Sequence, residues 1–145
     1  MKKKMGRVLG ALVMALFVGS LALPAKAQTQ FRALTHDEGL AAAKKEGKLL
    51  FVDFYTTWCP PCKMMSQKVF SQKEVGDFMN KNFVNIKLDV EKDTEGAPYA
   101  TKYQISAVPT FVILNPKTGK VVYRMSGAIF DGAEWVKTLT EALPK

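Results

Sequence analysis

The chain has 145 residues and a formal charge of +8, with 21 lysines and arginines against 13 acidic residues. Five of the basic residues and none of the acids lie in residues 1–27, which leaves residues 28–145 with a charge of only +3. That charge is too small to indicate a nucleic-acid partner, and the length fits one domain with a modest core.

The N-terminus has the three parts of a secretory signal peptide. Residues 1–7 are basic, residues 8–23 are almost continuously apolar, and Ala25-Lys26-Ala27 matches a small-residue cleavage site. The apolar run is shorter than the roughly 20 residues that span a bilayer as a helix, although an uncleaved anchor is the alternative. We therefore expect cleavage near Ala27 and a domain of residues 28–145 that is periplasmic or secreted, where disulfides persist.

The predicted elements alternate between helices and strands. Thr35 and Glu38 have capping-box spacing before a helix that ends at Gly47, and 49–55 is a buried-strand pattern. The remaining predictions are a helix from the second cysteine to about residue 70, a helix capped at 71–74, a strand at 83–90, a short helix at 97–103, a hairpin of strands 110–114 and 120–125, and a helix capped by Asp131. This order predicts an α/β sandwich with a mixed sheet and leaves several folds open.

Both cysteines lie in YTTWCPPCKM, residues 55–64. A structural crosslink is disfavoured because so short a loop contributes only about 2 kcal/mol, against about 4.7 kcal/mol for a loop of 100 residues. We expect no metal, because a closed zinc site needs four Cys or His ligands and the chain has two cysteines and one histidine. A redox dithiol, which needs two sulfurs close together, is the favoured interpretation.

The two prolines place Cys59 at the start of a helix. A residue before a proline avoids helical dihedrals, so Cys59 and Pro60 are predicted to be extended and Pro61 to begin the helix. The helix dipole then stabilises a Cys59 thiolate. Cys62, one turn later and expected to be more buried, can attack a mixed disulfide at Cys59, and its N–H is the expected hydrogen-bond partner of the Cys59 sulfur.

The segment VDFYTTWCPPCK, residues 52–63, resembles the active-site strand and helix start of the thioredoxin family. The similarity continues in the same order through the rest of the chain, at Asp53, Trp58, Lys87, Val108-Pro109-Thr110 and Gly127. Three features depart from the commonest pattern: Pro60 in place of glycine, extra residues between Lys87 and Pro109, and export. They make the chain more similar to secreted bacterial thioredoxin-like proteins and to the C-terminal domain of the periplasmic transmembrane electron carrier family.

The resemblance implies a thioredoxin fold, with a central mixed sheet flanked by helices, and thiol-disulfide oxidoreductase activity. It implies that Cys59 is the nucleophile and Cys62 the resolving thiol. It also implies that Trp58 and Pro109 flank the disulfide, that the Val108 backbone pairs with an extended substrate segment, and that the Val108–Pro109 bond is cis.

Asp53 is the one charge in the apolar run Leu49 to Tyr55. Burial of a carboxylate raises its pKa, which suits a proton acceptor and donor for Cys62. The alternative is a structural acid satisfied by Lys87. His36, the only histidine, is expected on a helix surface without a functional role.

The favoured function is reduction of protein disulfides by the Cys59/Cys62 dithiol. The expected partners are substrate proteins with disulfides or thiols and a membrane electron donor, with no nucleic acid and no cofactor beyond the redox-active disulfide. We expect a monomer. A disulfide oxidase or isomerase, and a non-catalytic binding module of the same fold, are the alternatives.

Overall fold

The computed structural model describes residues 28–145, so the predicted signal peptide lies outside the described residues and its cleavage stays a prediction. The described part contains four strands and five α-helices. In chain order they are α1 His36–Glu46, β1 Leu49–Tyr55, α2 Pro60–Met64, α3 Lys73–Asn82, β2 Phe83–Asp89, α4 Gly96–Lys102, β3 Thr110–Leu114, β4 Val121–Ser126 and α5 Gly132–Ala142.

The four strands form one mixed sheet in the order β2-β1-β3-β4. Strand β1 pairs in parallel with β2 and antiparallel with β3, and β3 pairs antiparallel with β4 across the predicted hairpin. The central strand β1 is buried on both faces, which explains its nearly continuous apolar sequence. The predicted α/β fold with a mixed sheet flanked by helices is confirmed.

Helix α1 begins and ends where the sequence predicted. The Thr35 hydroxyl accepts the Glu38 N–H at 3.2 Å, and the Glu38 carboxylate accepts the Thr35 N–H at 2.9 Å, which forms the capping box. Gly47 then adopts φ 67°, a left-handed conformation that favours glycine and ends the helix. The predicted cap at Asp131 is also present, since its side chain accepts the Glu134 N–H at 2.8 Å.

A hydrophobic cluster covers each face of the sheet. One contains Phe51, Phe111 and Trp135, and the other contains Val52 and Phe54 with Val84, Ile86 and Leu88 of β2. Trp135 is fully buried against Phe111, with ring centroids 4.9 Å apart, so it anchors α5 to the sheet. Alternation along β1 places Asp53 on the face of Phe51, which packs against the helix that follows the cysteines.

Two details of the helices differ from the sequence predictions. The helix that starts at the cysteines changes to π geometry over Met65–Val69, a form that apolar periodicity does not distinguish from an α-helix. The predicted capping box at Ser71 is wrong, because the Ser71 hydroxyl donates to the Gln67 carbonyl and α3 begins after Gln72 without a side-chain cap. Among the described helices, none has both the length and the apolar character needed to cross a membrane.

Candidate active site

Cys59 and Cys62 form a disulfide at the N-terminus of α2, with Cα atoms 5.3 Å apart. Cys59 is the N-cap residue, with an extended backbone at φ −69° and ψ 112°, and its sulfur accepts the Cys62 N–H at 3.3 Å. The predicted hydrogen bond is therefore present, and the positive end of the helix dipole faces the Cys59 sulfur. The expected difference in burial is wrong for this disulfide form, because Cys59 is 2% exposed and Cys62 is 4% exposed.

The helix begins one residue earlier than predicted. Pro60 is its first residue and Pro61 its second, and the first turn closes through a hydrogen bond from the Lys63 N–H to the Cys59 carbonyl at 3.1 Å. Both prolines are tolerated because the N–H groups of the first helical positions have no partner inside a helix. A residue before a proline only tends to avoid helical dihedrals, and Pro60 is helical although Pro61 follows it.

Asp53 is buried and paired with Lys87. The carboxylate is 2% exposed, and its Oδ2 lies 3.3 Å from the Lys87 ammonium in the neighbouring strand. Its Oδ1 has no hydrogen-bond partner among the described residues. Loss of water raises the pKa of Asp53 to about 6, and the Lys87 charge opposes that rise only in part. The two interpretations of Asp53 thus combine, since it has a fixed partner and also a raised pKa.

The Lys87 ammonium is held by more groups than the sequence indicated. It donates to the Ser66 hydroxyl at 2.8 Å and lies 4.6 Å from the centroid of the Tyr55 ring and 5.0 Å from that of Phe31. The sequence did not indicate Ser66 as a partner of Lys87. Ser66 belongs to the π-helical turn, and a polar residue in an expected helix does not indicate a contact with a distant lysine.

Two of the three predicted substrate-binding residues, Trp58 and Val108, line a groove beside the disulfide, whereas Pro109 is buried and is not among its lining residues. Val108 lines the same groove as Trp58 and Cys59, and the Val108–Pro109 bond is cis, as the resemblance implied. The Pro109 carbonyl accepts the Gly127 N–H at 2.9 Å, and Gly127 has φ 93°, so a glycine ties the loop to the end of β4. Among the described residues, the Val108 backbone N–H and carbonyl have no hydrogen-bond partner and are available to an extended peptide.

Trp58 is 61% exposed, and its indole N–H donates to the Glu91 carboxylate at 2.9 Å. Glu91 lines the groove and was missed as a site residue. Glu91 lies in the segment between Lys87 and Pro109, whose extra length was visible in the sequence. Its contact with Trp58 was not predictable, because it joins residues 33 positions apart.

The expectation that His36 lies on the surface is wrong. Its side chain is 1% exposed, stacks on Tyr99 with centroids 3.8 Å apart and bonds to the Tyr103 hydroxyl at 2.7 Å. Burial is the largest effect on the His36 pKa and lowers it, against the opposing hydrogen bond to Asp37. This histidine joins α1 to α4 and lies outside the groove beside the disulfide.

A second groove lies where α1 and α3 end and is lined by Lys44, Lys48, Lys81 and Lys117. Its lining contains no cysteine, and lysines near helix C-termini stabilise the negative end of the helix dipole. Within residues 28–145, no group of three His, Cys, Asp or Glu side chains is arranged to hold a metal ion.

Residues 36–143 match the family of thioredoxin-like domains. The chain is similar to the chloroplastic thioredoxin Y of Oryza sativa subsp. japonica, with 41% identity over 86 residues, which are 59% of this chain and 46% of that protein. The chain therefore spans about half the length of that relative.

Solved structures share the same arrangement of helices and strands. The solution structure of a candidate disulphide-isomerase from Bacteroides thetaiotaomicron is 44% identical, with a TM-score of 0.70, and the match covers 81% of this chain and 96% of that one. The oxidised C-terminal domain of Neisseria meningitidis DsbD is 19% identical with a TM-score of 0.63, over 73% of this chain and 90% of that domain, and shows the common fold alone. The resemblance found in the sequence is confirmed.

Proposed function

The chain belongs to the family of thioredoxin-like domains, and we propose on that premise that it reduces disulfide bonds in proteins outside the cytoplasm. Its Cys-x-x-Cys pair, closed as a disulfide, makes it a thiol-disulfide oxidoreductase. The observation that carries the proposal is the position of Cys59, whose sulfur caps a helix N-terminus at the edge of an open, mostly apolar groove.

The reaction begins from the reduced dithiol. The Cys59 thiolate, favoured by the helix dipole and the Cys62 N–H, attacks one sulfur of a substrate disulfide, forms a mixed disulfide and releases the other sulfur as a thiolate. The Cys62 thiolate then attacks the Cys59 sulfur and releases the second substrate thiolate. Both released thiolates take up protons, two electrons pass to the substrate, and the protein is left as the Cys59–Cys62 disulfide.

Asp53 supplies the proton acceptor for the second step in this proposal. Cys62 must lose its proton before it can attack, and a carboxyl group with a pKa of about 6 exchanges protons near neutral pH. Lys87 keeps part of the Asp53 population ionised, since its charge lowers the Asp53 pKa against the effect of burial. Asp53 is also on the sheet face that packs against the helix following Cys62.

Trp58 and Pro109 would border the bound substrate, and the free N–H and carbonyl of Val108 would pair with its backbone. Such pairing extends a sheet edge by one peptide strand and does not depend on the substrate's side chains. It therefore allows many proteins to be substrates.

The signal-peptide pattern of residues 1–27 supports action in the periplasm or outside the cell. There, regeneration of the dithiol needs an external reductant, and a membrane-bound dithiol donor is the chemical class we propose. The cycle uses the cysteine pair and needs no other cofactor, and the domain acts as a monomer.

The reduction potential of the Cys59–Cys62 pair tests the direction of the reaction. Thioredoxin-type reductases lie at about −270 mV and strong disulfide oxidants at about −120 mV. We expect a value within about 30 mV of the reductase figure, and a value above about −150 mV contradicts a reductase. Insulin reduction by the wild type but not by Cys59→Ser separates an enzyme from a binding module.

Isomerisation of disulfides is a second candidate function. It is favoured by the 44% identity to the candidate disulphide-isomerase of Bacteroides thetaiotaomicron. An isomerase works at an intermediate potential, about −180 mV for protein disulfide isomerase, and restores activity to a protein with scrambled disulfides. Such a potential together with recovery of activity from scrambled ribonuclease would favour this second function.

A further inference from the structure

We propose that the groove beside Cys59 selects substrate segments that carry an arginine or lysine close to the reacting cysteine, and that Glu91 is the residue that selects them. This inference rests on the proposed function, because it names the class of protein segment that the same site reduces.

Glu91 is the only charged residue among those that line the groove. The other lining side chains near the disulfide are apolar or small, and they include Val90, Ala100, Ile105 and Val108. An apolar groove with a single carboxylate favours a segment that combines apolar side chains with one cation, and because the Glu91 side chain is exposed, water screens part of that attraction.

Glu91 is held in place at both its backbone and its side chain. The Asp89 carboxylate accepts the Glu91 N–H at 2.9 Å and the Lys92 N–H at 3.1 Å, which fixes the turn after β2. The Glu91 Oε2 accepts the Trp58 indole N–H at 2.9 Å, and its Oε1 has no partner among the described residues. A substrate cation can therefore bind Oε1 without breaking the contact to Trp58.

Trp58 adds a second group that attracts cations. Its side chain is 61% exposed at the mouth of the groove, and the face of an indole ring is the best aromatic partner for a guanidinium or ammonium group. Because the ring is anchored through its N–H to Glu91, the carboxylate and the exposed ring lie next to each other. A guanidinium can pair with the first while it stacks on the second, so arginine should be preferred to lysine.

The other charges of this turn do not cancel the Glu91 carboxylate inside the groove. The Lys92 ammonium donates to the Thr57 hydroxyl at 2.7 Å, and Lys92 is not a lining residue. Asp93 accepts the Asp89 N–H at 2.6 Å and also lies outside the lining. Glu91 is thus the charged side chain that lines the groove.

The test compares three peptide disulfides that differ only in charge. Each is a symmetric dimer of an acetylated, amidated X-Val-Cys-Val-X peptide, with X as Arg, Gln or Glu, and kcat/KM is measured with the reduced wild-type protein. We expect the Arg dimer to exceed the Glu dimer by about two- to fivefold, the range of exposed charge pairs, and the ratio to fall toward one in about 0.5 M salt. With Glu91→Gln, whose amide oxygen can still accept the Trp58 N–H, the ratio should fall to within about 1.5-fold of one.

Glu141→Gln is the matched control, because it removes the same charge from an exposed position on α5 outside the groove. It should keep the wild-type preference. If the wild type reduces the Gln dimer, either of two results overturns this inference. One is an equal kcat/KM for the Arg and Glu dimers, and the other is the same loss of preference in both variants. Failure of the wild type to reduce the Gln dimer overturns the proposed function, and the inference with it.

Discussion

Replacement of Asp53 by asparagine should stabilise the fold and slow disulfide reduction. Burial raises the pKa of Asp53 from 3.8 to about 6, and each pKa unit corresponds to about 1.4 kcal/mol. At pH 7 the ionised carboxylate therefore costs the folded state about 3 kcal/mol relative to the unfolded chain. Asp53→Asn removes this cost but leaves Lys87 without its partner, and since the Lys87 side chain is 23% exposed, water can replace part of the pair. We expect a net gain of about 1–2 kcal/mol at pH 7.

The sign of the pH dependence follows from the proton balance. Between pH 3.8 and about 6 the folded state binds more protons than the unfolded state, so the wild type loses stability as the pH rises through this range. The variant should lack this slope, and its gain should disappear near pH 4. Urea melts at pH 4, 5.5 and 7 measure the free energy of unfolding, and insulin reduction on the same preparations measures activity.

Asp77→Asn is the control, because Asp77 forms an exposed ion pair with Lys73 at 2.6 Å. It should change the free energy of unfolding by no more than about 0.5 kcal/mol and leave activity unaltered. If Asp53→Asn is less stable than the wild type at pH 7 and reduces insulin at the full rate, the carboxylate is a structural partner of Lys87 and the assigned proton transfer is wrong.

Three further predictions concern the first helix and the cysteines. Thr35→Ala removes the capping box and should lower the free energy of unfolding by about 1 kcal/mol in urea melts, whereas no loss would show that the cap contributes little. His36, the only histidine, should titrate by NMR below its usual pKa of 6.5, so that its contribution to stability is present above pH 6.5 and lost as the pH falls; a pKa above 6.5 would contradict its burial. Brief iodoacetamide treatment of the reduced protein near pH 6 should alkylate Cys59 at the helix N-terminus, and predominant labelling of Cys62 would reverse the assigned roles.

Much of the fold was predictable because its signals are local. The capping box of Thr35 and Glu38, the stop at Gly47 and the cap at Asp131 each depend on residues within one helical turn, and all three are present. The continuous apolar run of β1 likewise reports burial on both faces of a sheet. The capping-box spacing at Ser71 failed because its hydroxyl bonds back to the preceding helical turn, which the spacing does not reveal.

The predictions that failed or were missing depend on contacts between distant residues. His36 is buried because Tyr99 of α4 and Tyr103, the residue that follows α4, pack on it, and nothing near His36 in the sequence indicates that contact. The Glu91 side chain is likewise placed by its contact with Trp58, 33 positions away in the sequence. The cysteine pair was found because its chemistry requires adjacent sulfurs, and Asp53 because it is the one charge in an apolar run, whereas the cis Val108–Pro109 bond needed a resemblance to a known family.

Trapping of the mixed disulfide tests the central claim that Cys59 attacks a substrate disulfide and Cys62 resolves the product. A disulfide-bonded substrate protein is incubated with reduced Cys62→Ser and, in parallel, with reduced Cys59→Ser, and the covalent adducts are located by mass spectrometry after acid quenching. The mechanism predicts a stable adduct joined through Cys59 in the first variant, because the resolving thiol is absent, and little or no adduct in the second. An adduct that forms faster through Cys62 in Cys59→Ser than through Cys59 in Cys62→Ser would contradict it.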